Sequence, residues 1–291
     1  MMQITINIFI SFVQFAMIST SFSLIYYPTK FFHIAHAIIL TFSAYFTYML
    51  FQQCRLSLWI SIPIAIIFAV GVGVLSELLL YKPLRKRKAT SMILMITSLG
   101  LYTILQNVIS MIWGDDIKNM QIREIKVGHE LLGAYITNIQ IITVAFGLLL
   151  LITTLIFMKY NKMGRNIRAV ASNPKLSNIM GINSDKVILF AFVLGSTLVA
   201  FAGILIAFDV NITPIMGFNW LLYGVVAMII GGVGSNWGLI GGALLLATSQ
   251  HLVAYYIGSQ WMDAIAYIIL ILFLIWRPLG FSGKRLKKVE I

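Results

Sequence analysis

The side chains able to do chemistry are few, and most of them lie inside apolar stretches. His33 and His36 stand three residues apart in Phe-Phe-His-Ile-Ala-His-Ala, so one helix face would carry both unless the chain breaks there. Two imidazoles alone make a weak metal site, and the single Cys54 removes thiolate sites and any intrachain disulfide. No metal site is assigned. Ser98, Gln106 and Asn107 are further polar groups within apolar runs, as are Gln14, Thr103, Gln250 and His251. Such groups are costly in hydrocarbon unless they face other helices or a cavity. Two readings follow: hydrogen bonding between helices, or the lining of a route for a polar solute. His33, His36, Ser98, Gln106 and Asn107 are the candidates for the route.

Known catalytic spacings are missing. There is no Gly-x-x-x-x-Gly-Lys-Ser/Thr, no His-Glu-x-x-His and no Gly-x-Ser-x-Gly. The glycine cluster from Gly231 to Gly242 could suggest a phosphate cradle, but no lysine follows it. Gly231, Gly232, Gly234, Gly238, Gly241 and Gly242 read instead as a tight turn with small-residue helix packing. The chain is expected to be neither an enzyme nor a cofactor carrier.

The elements that must position these residues follow from composition. Of 291 residues, 60% are hydrophobic and 10% charged, with a mean hydropathy of +0.94. A soluble domain carries about 25% charged residues. The expected fold is a single all-α transmembrane domain over 1–291, a polytopic bundle with spans of about 20 apolar residues. Nine are expected, with eight or ten as near alternatives: Ile4–Tyr26, His33–Phe51, Leu58–Leu80, Ser91–Trp113, Asn138–Met158, Val187–Phe208, Phe218–Ile230, Leu239–Ile257 and Met262–Trp276. The seventh is short. No Lys or Arg precedes Lys30, and no small-residue cleavage site follows the first run, which is expected to be a retained span.

Charge orients the bundle. A net charge of +12 could suggest nucleic acid, but the basic residues sit in a few loops between greasy segments. With the N-terminus outside, 17 of the 21 Lys and Arg fall on one side, in the loops 82–88 and 159–186, the C-terminal tail and Lys30. Positive residues collect inside, so that side and the C-terminus are expected in the cytoplasm. The segment 114–137 is then the largest outer loop. All six Trp fall near span ends, as interfacial anchors do.

One polar interruption has internal order. In the run 164–183, Asn173 suits a helix N-cap, Pro174 the first helical position and Gly181 the left-handed residue just past the end. Leu176, Ile179 and Met180 fall at i, i+3 and i+4 and share a face. Arg165 and Arg168 precede them. This is a short amphipathic helix at the inner membrane surface: either a connector lying on lipid headgroups or a docking helix for a cytoplasmic partner.

Four segments in order carry a resemblance. Tyr81-Lys82-Pro83-Leu84-Arg85 is followed by Thr97-Ser98-Leu99-Gly100-Leu101 and Leu105-Gln106-Asn107. Then come Gly164-Arg165-Asn166-Ile167-Arg168-Ala169 through Met180-Gly181-Ile182, the glycine cluster, and Arg277-Pro278-Leu279-Gly280-Phe281. Over nearly its whole length the chain resembles the inner-membrane permease subunits of bacterial ABC importers of the branched-chain amino acid, LivH-like, type. The resemblance implies half of a translocation pore for a small polar solute in the bacterial inner membrane, with branched-chain or other amino acids as cargo. It implies cytoplasmic ATP-binding subunits that receive the 164–183 segment, a second permease, like or identical, and an extracytoplasmic substrate-binding protein. Leu176, Ile179 and Met180 would then fill a groove on the ATPase, with Arg165 and Arg168 setting its approach by charge. Where that family usually shows Asn-Phe-Ala-His-Gly followed by an acid, this chain has His33-Ile34-Ala35-His36-Ala37-Ile38, so urea or short amides stand as alternative cargo. A stand-alone secondary transporter is a rival, but such proteins place ionisable residues at mid-membrane, and none of the nine acids is clearly central. A membrane-embedded enzyme or scaffold is a further rival.

Overall fold

The computed structural model describes residues 2–120, 128–131, 133–277 and 279–281. Expectations that fall elsewhere, among them the basic C-terminal tail and residues 121–127 of the outer loop, lie outside the described residues. In chain order the helices are α1 Met2–Thr29, α2 His36–Tyr48, α3 Leu58–Ser76, α4 Lys82–Lys86, α5 Ser91–Trp113, α6 Asn138–Tyr160, α7 Lys162–Ser172, α8 Pro174–Ile179, α9 Ser184–Asp209, α10 Met216–Gly231, α11 Asn236–Tyr256 and α12 Met262–Trp276. π-helical turns at Met49–Gln53 and Glu77–Tyr81 extend α2 and α3, and a 3-10 turn, Ser259–Trp261, precedes α12. Apolar runs become helices because hydrocarbon offers the backbone no partner, so each N–H must find a carbonyl within its own segment.

Among the described residues, seven helical stretches are long and apolar enough to cross a membrane. A helix stands at each of the nine expected positions, but α2, with 13 residues and 5 more in the π-helical turn that extends it, and α10, with 16, are not among the seven. The expected span from His33 is corrected at its start. Lys30 ends α1 in the left-handed region (φ 58), and the chain stays irregular until His36. Tight local bonds hold that break, from Ile34 N–H to Phe32 O (3.1 Å) and from His36 N–H to His33 O (3.0 Å). The all-α expectation also misses a small hairpin in the 114–137 loop, β1 His129–Leu131 against β2 Ala134–Ile136, with His129 opposite Ile136.

The chain divides into two compact units. The first comprises Met1–Thr20, Gln121–Thr153 and Leu222–Arg285. Here α11 packs on α12, and Ser11 Oγ lies 2.7 Å from a ring nitrogen of His251. Gln3 holds the hairpin, accepting from Tyr135 N–H at 2.9 Å and donating to Tyr135 O at 3.1 Å. The glycine cluster joins α10 to α11. Gly232 (φ 93) and Gly234 (φ 85) make the turn, and Ser235 Oγ caps α11 by accepting from Gly238 N–H at 3.1 Å. Gly231 and Gly238 meet backbone to backbone: a Cβ on Gly238 would lie 2.0 Å from Gly231 O. Gly241 differs, with open space where its Cβ would stand. Gly238→Ala is therefore expected to lower the unfolding midpoint of the detergent-purified protein, by a destabilisation of about 1–3 kcal/mol or more. Gly241→Ala, the same chemical change three residues on, should leave that midpoint in place. Equal shifts for the two variants would refute this packing.

Among the described residues the second unit comprises Ser21–Met120 and Thr154–Leu221. Its centre is α9, which packs on α2 and α3. Small residues set those approaches: a Cβ on Gly203 would lie 2.4 Å from Leu40 O, and one on Gly73 would lie 2.1 Å from Ser196 Oγ. α5 lies against α2 along the narrow stripe Leu94, Ser98 and Ile109 and is otherwise little buried. An isolated bridge between Lys118 and Ile212 ties the start of the 114–137 loop to the chain leaving α9.

Candidate functional site

The basic end of the second unit gathers the end of α1, the loop after α3, α7, α8 and the start of α9. α8 forms as its sequence dictates. Asn173 Oδ1 accepts from Leu176 N–H at 3.0 Å, Pro174 takes the first turn, and Gly181 follows with φ 81. Leu176, Ile179 and Met180 are 55%, 81% and 74% exposed, so the apolar stripe has no cover among the described residues. α8 is nonetheless firmly seated. Asn178 Oδ1 accepts from Ser184 N–H and Ser184 Oγ, both at 2.9 Å, and the same hydroxyl donates to Pro174 O at 3.2 Å. These bonds tie α8 to the first residue of α9.

The segment 164–174 holds an element the sequence reading left out. α7 buries Gly164, Ile167, Val170 and Ala171, and Asn161 Oδ1 caps it by accepting from Met163 N–H at 2.9 Å. Its signal was present: Ile167, Val170 and Ala171 stand at i, i+3 and i+4. Arg165 and Arg168 are not free charges. Arg165 donates to Tyr160 O at 3.2 Å and Arg168 to Met158 O, so both guanidinia satisfy carbonyls at the end of α6.

Beside α8 lies a cavity of about 190 Å³, lined by Thr29, Arg85, Lys86, Lys175, Asn178 and Asp185 among others. Lys82 Nζ stands 3.8 Å from Asp185 of α9, and Arg85 forms a two-pronged pair with Glu77. Glu77 is thus paired with the basic loop that follows it, and the same loop reaches α9 through Lys82. Lys30 closes this end, its amine 4.6 Å from the Tyr27 ring centroid, and burial lowers that amine to about 8.

The candidate route residues fall into two groups. His33, His36 and Ser98 are fully buried in one cluster. Ser98 Oγ accepts from Ala35 N–H at 2.9 Å and lies 3.2 Å from His33 Nδ1, which is also 3.1 Å from the Tyr81 hydroxyl. His36 Nε2 is 3.0 Å from Ser21 Oγ. Among the described residues His33 Nε2 and His36 Nδ1 find no hydrogen-bond partner, and Phe31, Phe192 and Phe22 ring the pair. Ser21, and Tyr81, which the sequence shows only as part of a family motif, are not among the route candidates, because they come from elements too distant in sequence for spacing to reveal. Gln106 and Asn107 do not join this cluster. They stand one to three turns further along α5, away from its buried stripe. Among the described residues no group of three or more His, Cys, Asp or Glu could hold a metal ion.

Comparison with known proteins adds to this geometry. The family model described as branched-chain amino acid transport system / permease component matches residues 4–274. The high-affinity branched-chain amino acid transport system permease protein LivH of Salmonella typhimurium is 28% identical over 285 residues, covering 93% of this chain and 91% of that protein. BraD of Pseudomonas aeruginosa, named for the same kind of system, is also 28% identical, covering 93% and 92%. A probable LivH of Methanocaldococcus jannaschii is 29% identical over 266 residues, covering 88% and 83%. No solved structure matches the chain significantly. A helical chain with seven stretches fit to span a bilayer, matched almost end to end by that model, belongs to the family of permease components of branched-chain amino acid transport systems.

Proposed function

We infer that the chain is one half of the translocation pore of an ABC importer for branched-chain or other amino acids, with ATP hydrolysed on separate subunits. The observation that carries this reading is the apolar stripe of α8, exposed on a helix bonded to the central helix of its unit. The basic end is cytoplasmic, because Lys and Arg concentrate there. The N-terminus and the 114–137 loop are then outside, where a substrate-binding protein docks. Helix α2, lengthened by its π-helical turn, and α10, with help from the residues beside it, complete nine crossings. A second permease, like or identical, completes the pore. ATP binding on the partner moves α8, and the Asn178–Ser184–Pro174 bonds pass that movement to α9, so access alternates between the two sides.

The test is reconstitution. Affinity-tagged chain, co-expressed with an ATP-binding subunit and a binding protein from the same organism, is expected to bring the ATP-binding subunit through detergent purification. In liposomes the complex should take up radiolabelled leucine only with ATP on the ATPase side and binding protein on the other. Uptake by the chain alone under an ion gradient would overturn the reading.

A further inference from the structure

The outer-loop half of α5 carries a polar stripe on the face turned away from its own unit. Leu94, Ser98 and Ile109 mark the buried side. At 100° per residue, Thr103 and Asn107 stand roughly opposite them, with Gly100, Gln106 and Ser110 on the flanks of the same wedge. Gly100, Thr103 and Asn107 are exposed, and nothing lies within 4 Å of where a Gly100 Cβ would stand. The stripe is wired along its length. Thr103 Oγ1 donates to Leu99 O at 3.1 Å, Asn107 Nδ2 to Thr103 O at 2.7 Å, and Gln106 Nε2 to Ser110 Oγ at 3.3 Å. These bonds leave carboxamide and hydroxyl acceptors facing outward.

Lipid is the wrong neighbour for such a surface. Polar side chains facing hydrocarbon are costly, and spanning helices place them toward protein or water. The contrast within the same unit is sharp: the exposed face of α3 offers Ile60, Ile64, Ile67 and Phe68. We propose that the Thr103–Asn107 stripe of α5 borders the aqueous lane through which the solute passes. Its chemistry narrows the cargo. Carboxamides and hydroxyls both donate and accept, and no charge stands among them, so the stripe suits a polar solute with no net charge, such as a zwitterionic amino acid. The proposal rests on the half-pore reading and adds which helix face meets the solute.

The test uses the complete complex with Cys54→Ser as background, carrying Thr103→Cys, Asn107→Cys or Ile67→Cys singly. A thiol must ionise to react with a methanethiosulfonate, and each unit of thiol pKa is about tenfold in thiolate, so apolar surroundings suppress labelling. Labelling with a small charged methanethiosulfonate is read in right-side-out and inside-out vesicles, on chains that co-purify with the ATP-binding subunit. A failure of the half-pore reading thus appears as lost co-purification and not as a labelling result. Positions 103 and 107 are expected to react about tenfold faster than position 67 in at least one vesicle orientation. Leucine with its binding protein should slow them and leave position 67 unchanged. Equal rates at the three positions would overturn the lane. So would spontaneous dimer cross-linking through position 107 with no reagent reaction, which would make the stripe a protein–protein seam.

Discussion

Ile179→Asp is expected to abolish binding-protein-dependent uptake and to release the ATP-binding subunit during purification, while the variant still inserts and its unfolding midpoint falls by only a few degrees. The separation follows from exposure. Ile179 is 81% exposed, and substitution at such a position usually changes stability by less than about 0.5 kcal/mol. An acid near a helix C-terminus adds a further cost of about 0.3–1 kcal/mol. Docking is another matter. A buried apolar anchor is worth about 2 kcal/mol or more, and its replacement also forces a carboxylate into an apolar groove. Asn173, which caps the helix, and Asn178, which ties it to Ser184, are both untouched, so the lever stays in place and only the grip is lost. Leu176→Asp, on the same stripe, is expected to behave alike. The checks are leucine uptake in proteoliposomes, co-purification and a thermal scan. Normal uptake by either variant would remove the docking role of α8.

The legibility of this chain differs sharply by element. α8 could be read residue by residue, because its cap, first-turn proline and terminal glycine are local signals, and local signals sit in the sequence. The long spans were equally plain, since their cause is the composition of each run. What failed was tertiary. The break at Lys30–Ala35 depends on Ser98, more than sixty residues away, taking the Ala35 N–H. No local pattern distinguishes that from a helix beginning at His33. The same distance hides Tyr81 beside His33 and Lys82 beside Asp185. Among the glycines, periodicity could not separate Gly238, pressed on the Gly231 carbonyl, from Gly241, which meets nothing. The reading of Gln106 and Asn107 as polar groups within a span was sound, but which way they face required the helix to be placed.

Glu77→Gln should cost about 3–5 kcal/mol of stability, because it strands Arg85 in a buried site. The two side chains are 1% and 7% exposed, and Arg85 reaches both carboxylate oxygens, one at 3.0 Å. Removing one partner leaves a desolvated charge with nothing to answer it, whereas replacing both with apolar groups of similar volume is often neutral or better. Glu77→Leu with Arg85→Met is therefore expected to unfold at a higher temperature than Glu77→Leu or Arg85→Met alone. Additive losses in that double-mutant cycle would mean that the pair contributes nothing as a pair. The site of the bond gives it a functional reading as well. Glu77 opens the π-helical turn that ends at Tyr81, whose hydroxyl meets His33, and Lys82 next to it reaches Asp185 near the start of α9. A bidentate bond across this turn fixes its register, and with it the position of Tyr81 against the buried cluster. The double variant should accordingly recover stability without recovering full uptake, because apolar contact restores burial but does not specify that register. Recovery of both would reduce the pair to a structural clasp.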